Sequence, residues 1–240
     1  CSLCCMLSRH IMLSPLLCYF MYHVHSISSH MPSVCILVLT SHHIVVQLIT
    51  AAGHNVIAVT SSPSKTDYIY SLDRSTVGSS NYLSVLDISD DRDGSWEKKV
   101  SQLVVANRKG SDSDSGSGSG SGHGVDMVIE NVGAPTMRQS LRSLNSGGAV
   151  VLIGNVTNES FALPLGLCIV KSLAVIGTDS CEAQEVQKLM RWMHAKGLKP
   201  HVDLTLPLQE VARGHTLVEN SGVSGRVVLN VNGDGQHWDA

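Results

Sequence analysis

The chain has 240 residues, a formal net charge of −3 and only 15% charged residues. That length is ample for one large domain with a buried core. So little clustered Lys and Arg argues against nucleic acid or an anionic membrane as partner, because neutralising phosphates requires such clusters, and it leaves a small-molecule ligand.

Residues 1–33 read as an irregular leader. Five of the seven cysteines (Cys1, Cys4, Cys5, Cys18, Cys35) fall within the first 35 residues, an uneven placement unlike a disulfide framework. "CSLCC" with His10, His23, His25 and His30 lacks the second spaced Cys pair a zinc site uses, so no metal is assigned. The apolar run Ile11 to Tyr22 is broken by Pro15 and is short of the ~20 residues a membrane span requires. Arg9 alone is thin support for a signal peptide. The expectation is a soluble, cytoplasmic protein.

From Val34 onward, apolar β-branched runs alternate with helical patterns. Strands are expected at Val34–Leu39, Asn55–Thr60, Val125–Glu130, Ala149–Gly154 and Ser172–Thr178. Helices are expected after the first strand and over Ser64–Leu72, Trp96–Ala106, Pro135–Leu144 and Glu182–Lys196. In the last, Val186, Leu189, Met190 and Met193 form an i, i+3, i+4, i+7 stripe that reads as core. Gly147-Gly148 reads as one helix stop and Gly197 as another. "HVDLTLPL" reads as a short strand ending at Pro207, Leu208–Glu219 as a last helix and "GRVVLNV" as a closing strand, before a tail over 232–240. Short apolar strands separated by helices imply an α/β fold, a doubly wound parallel sheet covered on both faces. "GSDSDSGSGSGSGHG", residues 110–124, cannot bury apolar area and reads as a surface-loop insertion within a domain spanning 34–231, with a domain boundary as the rival reading; the loop is preferred because neither flank is complete without the other.

In such a sheet, ligands bind beyond the carboxyl ends of the strands, near the point where strand order reverses. The turn after the second strand, "VTSSPSK", offers Thr60, Ser61 and Ser62 with Lys65 one turn later, and no carboxylate. Hydroxyls and an ammonium suit a 2′-phosphate, where a carboxylate would suit a free ribose. The same residues also suit an ordinary helix start, with Ser as cap and Pro63 in the first turn. "DMVIENVGAPT" and "VVLIGNVTN" place tight turns at Val132, Gly133 and Gly154 after buried strands.

The run "GVDMVIENVGAPTMRQSLRSLNSGGAVVLIGNVTN" resembles the nucleotide-binding half of medium-chain dehydrogenases/reductases, the superfamily of zinc alcohol dehydrogenases, quinone reductases and enoyl or acryloyl thioester reductases. The likeness continues through "LGLCIVKSLAVIGTDS", "LMRWMHAKGLKPHVDLTLPLQEVARGHTLVENSGVSGRVVLNV" and "AAGHNVIAVTSSPSK", over roughly residues 44 to 231. It implies a Rossmann-like fold and NADP as cofactor. Ser61, Ser62 and Lys65 would form the 2′-phosphate site, and Val132 and Gly133 the turn beside the cofactor ribose. Ile153, Gly154 and Asn155 would form the strand end that contacts the nicotinamide carboxamide. The segment around Ser172–Thr178 often lies at a dimer edge in this family, which motivates a homo-oligomer.

Two departures stand out. Where the family carries a G-x-G-G-x-G turn and a longer helix, this chain has "TSHHIVV", about five residues short by alignment to that pattern, and His42 and His43 would crowd a pyrophosphate. The degenerate first strand–loop–helix suggests that sequence before about Ile44 is not the family's own. The family's N-terminal substrate domain, source of any zinc ligands and most of the substrate pocket, has no counterpart, so no catalytic residue is named. The expected function is an NADP-dependent oxidoreductase moving hydride to or from a carbonyl or activated C=C, present as a cofactor-binding half, with a small-molecule substrate. The alternative is a non-catalytic, degenerate nucleotide-binding or oligomerisation module. A methyltransferase with a related sheet would leave the "GRVVLNV" match unexplained.

Overall fold

The computed structural model describes residues 35–39, 43–74, 81–91, 94–108, 123–178, 183–220 and 222–231. The leader, the turn holding Ser41 and His42, residues 109–122 of the Gly/Ser region and the tail lie outside the described residues.

The strands of the main sheet are β1 (Cys35–Leu39), β2 (Asn55–Thr60), β3 (Leu83–Asp87), β4 (Val125–Glu130), β5 (Leu144–Leu152) and β6 (Ala174–Gly177). They pair in the order β3-β2-β1-β4-β5-β6, every neighbour parallel. The helices are α1 (His43–Ala51), α2 (Thr66–Tyr70), α3 (Trp96–Arg108), α4 (Ala134–Ser143), α5 (Leu165–Lys171), α6 (Ala183–Ala195) and α7 (Val211–Glu219). The chain builds outward from β1 to β3, then returns to the centre at β4, so the strand order reverses between β1 and β4. This is the Rossmann-like doubly wound arrangement.

The alternation of side chains explains why both faces are covered. Val56 and Ala58 of β2 belong to one buried cluster with Ile44, Val45, Leu48 and Ile49 of α1 and Leu189 of α6. Ile57 and Val59 belong to the other, with Val100 and Val104 of α3 and Met137 and Leu141 of α4. A parallel sheet buried on both faces needs such continuous apolar strands, and β2 and β4 supply them. Helix α1 is buried all round from Ile44 to Thr50, polar residues included. Its Gln47 amide donates to the Lys199 carbonyl at 3.0 Å, and the Thr50 hydroxyl donates to Val46 O at 2.9 Å and accepts from Arg74 N–H at 2.9 Å. Those bonds offset the cost of burying polar groups.

A second, two-stranded parallel sheet joins β7 (Val202–Pro207) and β8 (Arg226–Asn230). Helix α7 lies close against it at Gly214, where a Cβ would stand 3.4 Å from both Leu206 and Val227.

Several expectations are revised. The strand β3 and the helix α5 were not foreseen. Met190 is 63% exposed, and the inward face of α6 is made instead by Leu189, Trp192 and Met193. Gly147 and Gly148 are not a helix stop. Helix α4 ends at Ser143, and both glycines lie in the irregular start of β5, where the register against β4 shifts between Val125 and Met127. The Asn145 side chain closes that irregularity, bonding Gly124 N–H, Gly124 O and Asp126. Gly197 does end α6, with a φ of 64°.

His54, in the turn between α1 and β2, is buried, and burial lowers its imidazole pKa below 6.5. The fold therefore favours the neutral ring, while the unfolded chain takes up a proton as pH falls past 6.5. Stability is expected to be full above that pH and to decline below it until the folded pKa is passed. Melting the parent and His54→Gln at pH 7.5 and 5.0 tests this; an equal acid-induced loss in both proteins would assign the effect elsewhere.

Candidate functional site

Three turns leave the carboxyl edge of the sheet beside the reversal point, after β2, β4 and β5. With neighbouring strands about 4.8 Å apart, the row β2-β1-β4-β5 spans roughly 14 Å. The sheet thus brings Ser61, Ser62 and Lys65 to the same edge as Val132, Gly133, Ile153, Gly154 and Asn155. The turn after β1, which lies between them in the row, is outside the described residues.

The β2 turn is organised by Thr60. Its buried hydroxyl accepts from Ser62 N–H at 3.1 Å and donates to Ser62 O at 3.3 Å. Pro63 then opens a single 3-10 turn over Pro63–Lys65, in line with the expected helix start, although Ser62 makes no side-chain cap. The Ser62 and Ser64 hydroxyls bond each other at 3.1 Å. Ser61 is exposed and Lys65 half-buried. Among the described residues nothing accepts a hydrogen bond or ion pair from Lys65 Nζ. The register pairs Thr60 with Asp87 at the end of β3, whose carboxylate accepts from Ser89 N–H at 2.9 Å.

The β4 and β5 turns are locked together. Gly133 has φ 98° and ψ −136°, a conformation open to glycine alone, and a Cβ there would stand 2.9 Å from Asn155 Cα. A Cβ on Gly154 would stand 2.8 Å from the Asn131 carbonyl oxygen. Ile153 N–H donates to Glu130 O and Val156 N–H to Val132 O, each at 2.8 Å. Ile153 itself is a core residue, its side chain buried in the α1 cluster, so only its backbone is at the edge.

Sequence reasoning missed what holds the β4 turn. Glu130, fully buried at the end of its strand, accepts from Val132 N–H at 2.9 Å, Gly133 N–H at 3.0 Å, Thr136 Oγ1 at 2.9 Å and Ser140 Oγ at 2.5 Å. An acidic residue following directly on the apolar run Met127–Ile129 in "VDMVIE" was the available signal. It also missed the ring contacts that tie the first turn of α1 to its neighbours. His43 meets Tyr68 edge-on at 4.7 Å, and Tyr68 lies 4.6 Å from His201. Burial, with Asp203 nearby adding to it and Arg74 opposing, pushes the Tyr68 phenol up to about 12. His43 thus packs as part of a ring cluster.

The chain belongs to the zinc-binding dehydrogenase family of the medium-chain dehydrogenase/reductase superfamily, whose model matches residues 43–195. It is 34% identical over 106 residues to an acryloyl-coenzyme A reductase of Metallosphaera sedula, a stretch covering 44% of this chain and 32% of that protein. The chain therefore matches about a third of the length of that curated relative. Among solved structures, AibC superposes with a TM-score of 0.63 at 28% identity, covering 82% of this chain and 48% of AibC. The 2-octenoyl-CoA carboxylase reductase CinF, solved with NADP and 2-octenoyl-CoA, shares the fold at 19% identity and a TM-score of 0.68, over 85% of this chain and 45% of CinF.

The family name raises the question of zinc. Among the described residues no three His, Cys, Asp or Glu side chains gather in a way that could hold a metal ion. These residues do not fit the metal, and no chemistry is routed through it. Likewise, among the described residues no helix is long and apolar enough to cross a membrane.

Proposed function

We propose that this chain is the nucleotide-binding part of an NADP-dependent oxidoreductase acting on a small molecule, a carbonyl compound or an activated C=C. The observation that carries the reading is the donor set after β2: Ser61, Ser62 and Lys65 with no carboxylate in the turn, on the sheet edge that also bears the β4 and β5 turns. Lys65 and the serine hydroxyls would take the 2′-phosphate; Val132 and Gly133 would flank the adjoining ribose. The backbone at Ile153, Gly154 and Asn155 would orient the nicotinamide carboxamide. When bound, NADPH supplies hydride at its nicotinamide C4; these residues bind and orient it, and the polarisation of the substrate falls to groups beyond this edge. The name of the acryloyl-coenzyme A reductase that the chain resembles favours the enoyl-type branch, and the same proposal takes the enzyme to be cytoplasmic.

Titrating the purified chain with NADPH and with NADH, while following nicotinamide fluorescence, tests the reading. Saturable binding of NADPH in preference to NADH is expected. No binding of either would favour the alternative, a degenerate module without a cofactor.

The same proposal includes a homo-oligomer. Among the described residues β6 is the outermost strand of the sheet, and next to it in the chain α5 exposes Leu165, Ile169 and Val170 by 65%, 76% and 82%. An open strand edge beside apolar side chains is a surface that folded proteins cover. Sedimentation should give twice the monomer mass, and a monomer at high concentration would remove this part.

A further inference from the structure

We infer that Glu130 is the positioning residue of the crevice, acting through the turn it holds and not by touching the ligand; this rests on the cofactor reading above. Both backbone N–H groups at the tip of the β4 turn, Val132 and Gly133, are bound inward by one carboxylate oxygen. The Thr136 hydroxyl, in the first turn of α4, shares that oxygen, and the buried Ser140 hydroxyl fixes the other. One fully buried side chain therefore ties the strand end, the turn and the first two turns of α4 into a single unit.

The turn has two physical consequences. A free glycine-containing turn would sample many conformations, and binding would have to order it at a cost in affinity; the carboxylate removes that cost beforehand. The polarity of the turn is also set. Its amide donors at positions 132 and 133 are spent, so an anion would find no donor there, backed by a carboxylate. A hydroxyl or an amide N–H is the compatible partner. Phosphate recognition is thereby directed away from β4 and toward the β2 side of the crevice.

Glu130→Leu removes the acceptor while keeping apolar bulk. Glu130→Gln can keep all four contacts, because its amide oxygen replaces the shared acceptor and its NH2 donates to Ser140, whose hydroxyl turns to accept. Two readouts separate positioning from general stability: amide hydrogen exchange at Val132 and Gly133, and the NADPH Kd. In Glu130→Leu, exchange at these two amides should quicken by about a hundredfold while Val128 and Val150 in the strands stay protected. The NADPH Kd should rise about tenfold. Glu130→Gln should restore both to within about threefold of the parent.

If Glu130→Leu does not fold, Ser140→Ala, which frees only the second carboxylate oxygen, should show the same two changes in smaller measure, exchange about tenfold faster and the NADPH Kd about threefold higher. Unchanged exchange in Glu130→Leu, or in Ser140→Ala where the first does not fold, overturns the clip. Faster exchange with an unaltered NADPH Kd overturns its positioning role. A parent chain that binds no NADPH overturns the cofactor reading instead, and the exchange data still decide whether Glu130 orders the turn.

Discussion

Gly133→Ala is expected to destabilise the fold by about 3 kcal/mol or more, lowering the melting temperature by roughly 10 °C, and to remove NADPH binding with it. Two costs add. The backbone at φ 98° and ψ −136° lies where an L-residue is strained by about 1–3 kcal/mol. The new methyl would also stand 2.9 Å from Asn155 Cα, nearer than such atoms approach in folded proteins. Neither turn can step back cheaply, because Val156 N–H and Ile153 N–H are anchored to Val132 O and Glu130 O. Placing Asn155→Gly in the same background relieves the side-chain part of the clash but leaves the methyl pressed on the backbone of residue 155 and the φ cost, so recovery should be partial. A Gly133→Ala protein that melts with the parent would show that the two turns are not locked as described.

Lys65→Ala is expected to weaken NADPH binding by about 10–100-fold, the range of a charge-assisted hydrogen bond to a phosphate, and to leave NADH within about twofold. Lys65 is half-buried and, among the described residues, gives its ammonium to no acceptor, so a phosphate would not have to displace an existing ion pair. The variant should also fold normally, since Nζ holds no other described element in place. Lys65→Arg should retain most of the NADPH affinity, because a guanidinium also pairs with phosphate. An equal loss for NADPH and NADH would refute the 2′-phosphate role while leaving the fold assignment intact.

The parallel platform was legible because its strands are continuous apolar runs. Asn55–Thr60 and Val125–Glu130 begin and end where their residues suggested. Strand β3 was not legible: "LSVLD" carries a serine and an aspartate, and only Leu86 of its five residues is buried. Helix α5 went unread for a related reason, since "LGLCIVK" has no polar face to mark a period and no residue of it is buried. The start of β5 was misread because Gly147-Gly148 looks like punctuation, whereas Asn145 uses the slack to bond Gly124 and Asp126. The edge turns were found from their glycines and hydroxyls. What holds them was not, because a lone glutamate at a strand end looks like an ordinary surface residue until Val132, Gly133, Thr136 and Ser140 are seen converging on it.

The abutment of Gly133 on Asn155, and of Gly154 on the Asn131 carbonyl, has a practical corollary for engineering. Segments 131–133 and 153–156 form one interlocking joint, as two halves of a hinge plate share a pin. A graft of either segment from a relative should fail when moved singly and succeed when both travel together, so attempts to retune cofactor preference are better aimed at the β2 side, where the hydroxyl-and-ammonium turn stands apart from the joint.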